Sequence, residues 1–96
     1  MTETPNQFSD FQLLQNYPNP FNPTTNIDFY VGRDGMVRVE VFDITGRKVT
    51  TLVNEYQSKG WHSVHWNVDD SQATGVFICR LEAGGFIGNR KLMLMK

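Results

Sequence analysis

The sequence predicts an all-β fold, a seven-stranded antiparallel β-sandwich. Three observations carry that prediction. Short apolar runs rich in β-branched and aromatic residues are separated by turn signals about every eight to twelve residues. Within most runs, apolar and polar residues alternate with the two-residue period of a half-buried strand. No stretch repeats apolar residues at helical spacing.

Residues 1–10 are polar, contain Pro5 and show no period, so they read as a flexible linker or tail ahead of a folded domain over 11–96. Phe11, Leu13 and Leu14 give a short first strand. It runs into Tyr17-Pro18-Asn19-Pro20-Phe21-Asn22-Pro23, which holds three of the four prolines. Each proline lacks an N–H and holds the residue before it extended, which excludes a helix and a central strand. A stiff edge segment is expected, with Tyr17 and Phe21 pointing inward as apolar anchors. Ile27, Phe29 and Val31 then alternate with Asn26, Asp28 and Tyr30 in a second strand, ended by Gly32-Arg33-Asp34-Gly35.

Val37, Val39 and Val41 form the apolar face of a third strand. Asp43-Ile44-Thr45-Gly46-Arg47 reads as a tight turn, with the Asp43 carboxylate accepting backbone N–H groups and Gly46 supplying the left-handed residue. The fourth strand returns through Val49 and Leu52-Val53, and 54–59 reads as a polar connection. From Trp61 to Trp66 a fifth strand places His62, Val64 and Trp66 on one face and Trp61, Ser63 and His65 on the other. After an expected loop at Asp69-Asp70-Ser71-Gln72, Gly75 opens a sixth strand, Val76 to Leu81. Gly84-Gly85 makes the last turn, and 90–96 reads as the seventh strand, with Leu92 and Leu94 on one face.

Ninety-six residues make one domain with one two-layer core. The net charge is −1 and the nine basic residues are scattered among ten acidic ones, so no basic field exists to hold a nucleic acid. Cys79 is alone, which removes any intramolecular disulfide and any cysteine-built zinc cage. No apolar run has the roughly twenty residues of a membrane-spanning helix, so membrane insertion is not expected. The first residues lack the basic and apolar regions of an export signal, which leaves either a cytoplasmic protein or a domain cut from a longer exported one; the resemblance given below favours the second.

The pieces Leu14 to Thr25, Val41 to Arg47, Gly60 to Trp66, Gly75 to Leu81, Ala83 to Phe86 and Arg90 to Lys96 occur in a fixed order. As an ordered set they resemble the type A C-terminal sorting domain of the type IX (Por) secretion system. They are also similar to the immunoglobulin-like domain of flagellar hook-capping proteins. The resemblance implies an immunoglobulin-like, non-catalytic sorting domain that directs an exported cargo to the cell surface. The implied partners are an outer-membrane translocon, a sortase-like surface peptidase that removes the domain, and a covalently attached N-terminal cargo. It implies a secreted or cell-surface location reached through the periplasm. A monomer is expected, and the lone cysteine and the opposed faces of His62 and His65 give no reason to expect a metal or cofactor. The positions matching the family pattern are Pro18, Asn19, Pro20, Asp43, Gly46, Arg47, Gly75, Val76, Arg80, Lys91 and Lys96. Phe77 stands where the family commonly has tyrosine, and Cys79 is not a usual family residue.

Several of these positions also have a plain structural reading, among them Lys91 and Lys96, which can be an ordinary solvated edge. The proline segment can be an edge cover that blocks edge-to-edge association, and Asp43 with Arg47 can be turn chemistry with a surface ion pair. An enzyme would draw on Ser58, His62, Ser63, His65, Asp69, Asp70 or Ser71. However, His62 and His65 face opposite sides of a strand and no nucleophile elbow is present. The alternative function is an accessory module of a secreted enzyme, either a structural spacer or a carbohydrate-binding unit. Among the rings Tyr17, Tyr30, Tyr56, Trp61 and Trp66, the candidates for a sugar platform are Tyr56 and Trp61. Cleavage is expected upstream of Phe11.

Overall fold

The structure, a computed structural model, describes residues 10–68, 72 and 74–95. Seven strands follow in order: β1 Gln12–Leu13, β2 Thr24–Val31, β3 Gly35–Asp43, β4 Lys48–Gln57, β5 Gly60–Asn67, β6 Gly75–Ala83 and β7 Phe86–Leu94. They build a three-stranded sheet in the order β1-β2-β5 and a four-stranded sheet in the order β4-β3-β6-β7. All strand pairings are antiparallel. The result is the immunoglobulin-like sandwich expected, with consecutive strands crossing between sheets after β2, β4 and β5.

The period-two pattern decides which residues meet between the sheets. Ile27, Phe29 and Val31 of β2 face Val37, Val39 and Val41 of β3, Phe77, Cys79 and Leu81 of β6, and Leu92 and Leu94 of β7, all buried in one core. Trp66 joins the layers, with its ring centroid 5.5 Å from that of Phe21 and 5.3 Å from that of Phe77. Cys79 is fully buried, and burial pushes its thiol pKa up to about 12.

Four expectations are corrected. β4 runs on to Gln57, because residues 54–57 pair with 35–38 of β3 where a polar connection was expected. The register of β3 on β4 slips twice, skipping Leu52 and Val49. These bulges re-phase the strand so that Val49, Leu52 and Val53 all pack on the core despite their uneven spacing. β7 begins at Phe86 rather than at Arg90, because the two-residue Gly84-Gly85 turn, with φ of +55° and +85°, zips Ala83 directly against Phe86. Gly88 interrupts the alternation there, and a Cβ on it would lie 2.8 Å from the Phe86 ring. Around β1, which is only Gln12–Leu13, Phe11 and Leu13 are buried but Leu14 is exposed. Finally, Tyr17 points outward and is 76% exposed, whereas Phe21 is buried as expected. Tyr17 pairs directly with Asn26, whose side chain lies on the outer face, and opposed residues share a face. The expected loop at Asp69, Asp70 and Ser71 lies outside the described residues.

Candidate functional site

Residues 12–17 follow the edge of β2. Leu14 N–H donates to the Asp28 carbonyl at 3.0 Å, and Tyr17 and Asn26 exchange both backbone bonds at 2.8–2.9 Å. Pro18 and Pro20 then end the ladder, since neither offers an N–H to continue it. The chain crosses to the other sheet and meets β7 at Phe21. There Phe21 N–H donates to the Met93 carbonyl at 2.9 Å, and Met95 N–H to the Phe21 carbonyl at 3.0 Å, as a parallel bridge to Leu94. The proline segment is thus a sheet-to-sheet strap across one flank of the sandwich.

Beneath the strap lies a small buried polar cluster. Asn16, 3% exposed, donates from Nδ2 to Thr25 Oγ1 at 2.9 Å and to the Pro18 carbonyl at 3.1 Å. Thr25, 1% exposed, donates its hydroxyl to the same carbonyl at 2.9 Å. Gln15 Nε2 donates to Asn16 Oδ1 and to the Lys91 carbonyl, both at 2.7 Å. The buried polar groups of the cluster satisfy one another, as burial requires. Two further bonds stitch this flank to β7: Arg90 Nε donates to the Leu13 carbonyl of β1 at 2.8 Å, and Met93 N–H donates to Asn19 Oδ1 of the strap at 3.1 Å. The free edge of β7 from Lys91 to Met95 is therefore covered by residues 15–21.

Asn16 and Thr25 were not singled out from the sequence. Thr25 was within reach, since it has the inward parity of Ile27, Phe29 and Val31. Asn16 and Arg90 carry no local signal, because their partners are set by the crossing of the strap.

The other family-pattern positions are dispersed. Asp43 Oδ1 accepts the N–H groups of Thr45 and Arg47 at 2.9 and 3.0 Å, and Gly46 has φ +90°. The Thr45 hydroxyl first, and the backbone of Arg47 and Thr45 with the Arg47 charge after it, hold the Asp43 carboxyl below the usual carboxylate range. Its ion pair with the largely exposed Arg47 spans 3.2 Å at the surface. Gly75 opens β6 opposite Leu94 and Val76 lies opposite Met93. Arg80 lies over the Phe42 ring, 4.8 Å from its centroid. It also borders Glu40, a nearly buried carboxylate ringed by Arg38 at 3.7 Å, Lys48 at 3.3 Å and Arg80 at 3.9 Å. Arg38 also binds Glu82 at 2.6 Å and draws its carboxyl down. Lys91 is exposed beside the strap, and Lys96 lies outside the described residues.

The structure does not bring Tyr56 and Trp61 onto one platform. Tyr56 stands opposite Met36 on the four-stranded sheet, and Trp61 stands against Tyr30 on the three-stranded one. His62 stacks on Phe29 and donates to the Ser58 carbonyl at 2.7 Å, while His65 is exposed on the opposite face. Among the described residues, no group of His, Cys, Asp or Glu is arranged to hold a metal ion.

Comparisons with known proteins place this geometry. The model of the family described as "Secretion system C-terminal sorting domain" matches residues 15–95, from the strap to the end of the last strand. Dimeric latent PorU from Porphyromonas gingivalis has a similar fold, with a TM-score of 0.65 and 21% identity over 88% of this chain. The chain spans 9% of that protein's length. No curated protein matches the sequence.

Proposed function

The chain belongs to the family of secretion system C-terminal sorting domains, and on that premise we propose that it is the non-catalytic address of an exported cargo protein. In this reading it directs a covalently attached N-terminal cargo from the periplasm through the outer-membrane translocon of the type IX system. The cargo reaches the cell surface or the medium, and a sortase-like surface peptidase removes the domain by cleavage upstream of Phe11. The observation that carries the reading is the extent of the family match, which takes in the strap, the Asp43 turn and the terminal strand together.

Pro18, Asn19, Pro20 and Lys91 are the residues proposed to meet the translocon. All four are exposed, and the bonds of Gln15 and Asn19 to β7 gather them on one flank. An extended, exposed backbone with side chains at fixed spacing suits recognition by strand addition or shape.

The test is a signal-peptide-bearing reporter fused to residues 11–96 in a host with the type IX system, beside a fusion ending before Phe86. Export of the first and periplasmic retention of the second is expected; retention of both refutes the reading. Asn19→Ala, with melting temperature and export measured side by side, separates contact from folding. Export lost at an unchanged melting temperature assigns Asn19 to the contact.

A further inference from the structure

The outer face of the β1-β2-β5 sheet has a composition unlike the rest of the surface. The outward pairs of β2 and β5 are Tyr30 with Trp61, Asp28 with Ser63, Asn26 with His65, and, beyond these, Thr24 with Asn67, which bond each other at 3.1 Å. Tyr17 opposes Asn26 from the other side, so its ring belongs to the same face. The face therefore has aromatic rings at both ends. At one end Trp61, 58% exposed, meets Tyr30 with centroids 5.2 Å apart and planes at 61°. At the other end Tyr17 is 76% exposed. Four strand residues, about 13 Å, separate the two ends.

Between the rings lie Asp28, Ser63, Asn26 and His65, whose side chains have no partner among the described residues. Other polar side chains, such as Asn16, Asn19, Thr25 and Asp43, are engaged within the fold. The pairs of β2 and β5 include no lysine or arginine, whereas the outer face of the other sheet carries Arg38, Lys48 and Arg80. An acidic ligand would meet Asp28 with no cation to offset it. A nucleic acid, sulfated glycan or uronate is thus disfavoured by charge.

From this juxtaposition we propose that the outer face of the three-stranded sheet binds neutral, extended oligosaccharides. Pyranose C–H faces stack on Trp61 and Tyr17, and sugar hydroxyls bond to the unengaged side chains between them. The combination of apolar ring surface with a few fixed polar groups is what such ligands need. Because the groups stand on paired strands, little ordering is required on binding. This face is separate from the strap's contacts with β7, so its failure would leave the sorting role untouched.

The test uses the whole chain and four probes: cellohexaose, xylohexaose, mannohexaose and a galacturonic acid hexamer. Binding is followed by tryptophan emission and by calorimetry. Trp66 is buried and Trp61 exposed, so a change in emission on binding reports on Trp61. Saturable binding of at least one neutral hexaose is expected. Trp61→Ala and Tyr17→Ala should each weaken it about tenfold, the scale of one lost ring contact, while Tyr56→Ala leaves it unchanged. Asp28→Ala and Ser63→Ala, changes at exposed positions that spare the core, should weaken it as well. The proposal is overturned by no saturable binding to any neutral probe, by tighter binding of the acidic hexamer, or by equal losses from Tyr56→Ala and Trp61→Ala.

Discussion

Asn16 is where the strap is held from below, and removing its side chain tests that directly. Asn16→Ala deletes two donated bonds, to Thr25 Oγ1 and the Pro18 carbonyl, and one accepted from Gln15. A net hydrogen bond contributes about 0.5–1.5 kcal/mol, so the two buried bonds suggest a loss of about 2 kcal/mol. Pro18 O keeps the Thr25 hydroxyl as a donor, so no carbonyl is stranded and the larger penalty of an orphaned buried group does not apply. For a domain of this size, about 2 kcal/mol lowers the melting temperature by about 8–16 °C. Thr25→Val removes the hydroxyl with little change of shape and should cost about 1–2 kcal/mol. The two groups bond each other, so the double variant should lose about 1 kcal/mol less than the sum. Urea unfolding of the four proteins at constant m-value provides the cycle. A loss below about 0.5 kcal/mol for Asn16→Ala, or strict additivity, would show that the strap is held by other contacts.

Three further outcomes are expected. Gly84→Ala should destabilise by about 1–3 kcal/mol, more than Gly46→Ala, since both have positive φ but only at Gly84 would a Cβ meet a ring, Phe11 Cζ at 2.7 Å; thermal melting of the two variants compares them. The folded-state pKa of Asp43 is depressed, so its contribution to stability is present above the unfolded carboxylate range and lost as pH falls through the lower folded value. Asp43→Asn should therefore flatten the acid limb of a urea-unfolding series taken below about pH 4. Cys79 should resist iodoacetamide at mildly alkaline pH in the native protein and react only as the domain unfolds, as mass spectrometry of the labelled chain would record.

The inward residues of β2 and β3 were legible because strict alternation leaves one register that buries every apolar side chain, whereas the continuous apolar run Val76 to Cys79 of β6 marks a strand without saying which face is inward. The Asp43 turn was legible because its chemistry is local, a carboxylate and a glycine within four residues. β4 was harder. Its two bulges break the alternation, and its last four residues are strand only because β3 lies alongside. Tyr17 was misplaced for a similar reason. Its size argued for burial, yet its direction is set by backbone bonds to Asn26, which no local pattern announces. The polar cluster of Asn16, Thr25 and Gln15 needed the crossing of the strap to be known first. The Pro18, Asn19 and Pro20 signal marked where that crossing happens, but not what it crosses to.

The strap joins residues that are far apart along the chain. Gln15 reaches Lys91 across 76 positions, Leu13 reaches Arg90 across 77, and Asn19 reaches Met93 across 74. Contacts of such separation require nearly the whole chain to be closed into one loop, and they form late and slowly. A chain still being made, or one lacking its final strand, can pair β2 with β5 and offer Trp66 to the Phe21 ring, but it has no partner for the backbone of Phe21 or for the Asn19 side chain. The seated proline segment is therefore a physical record that the last strand is in place, written at the opposite end of the sequence.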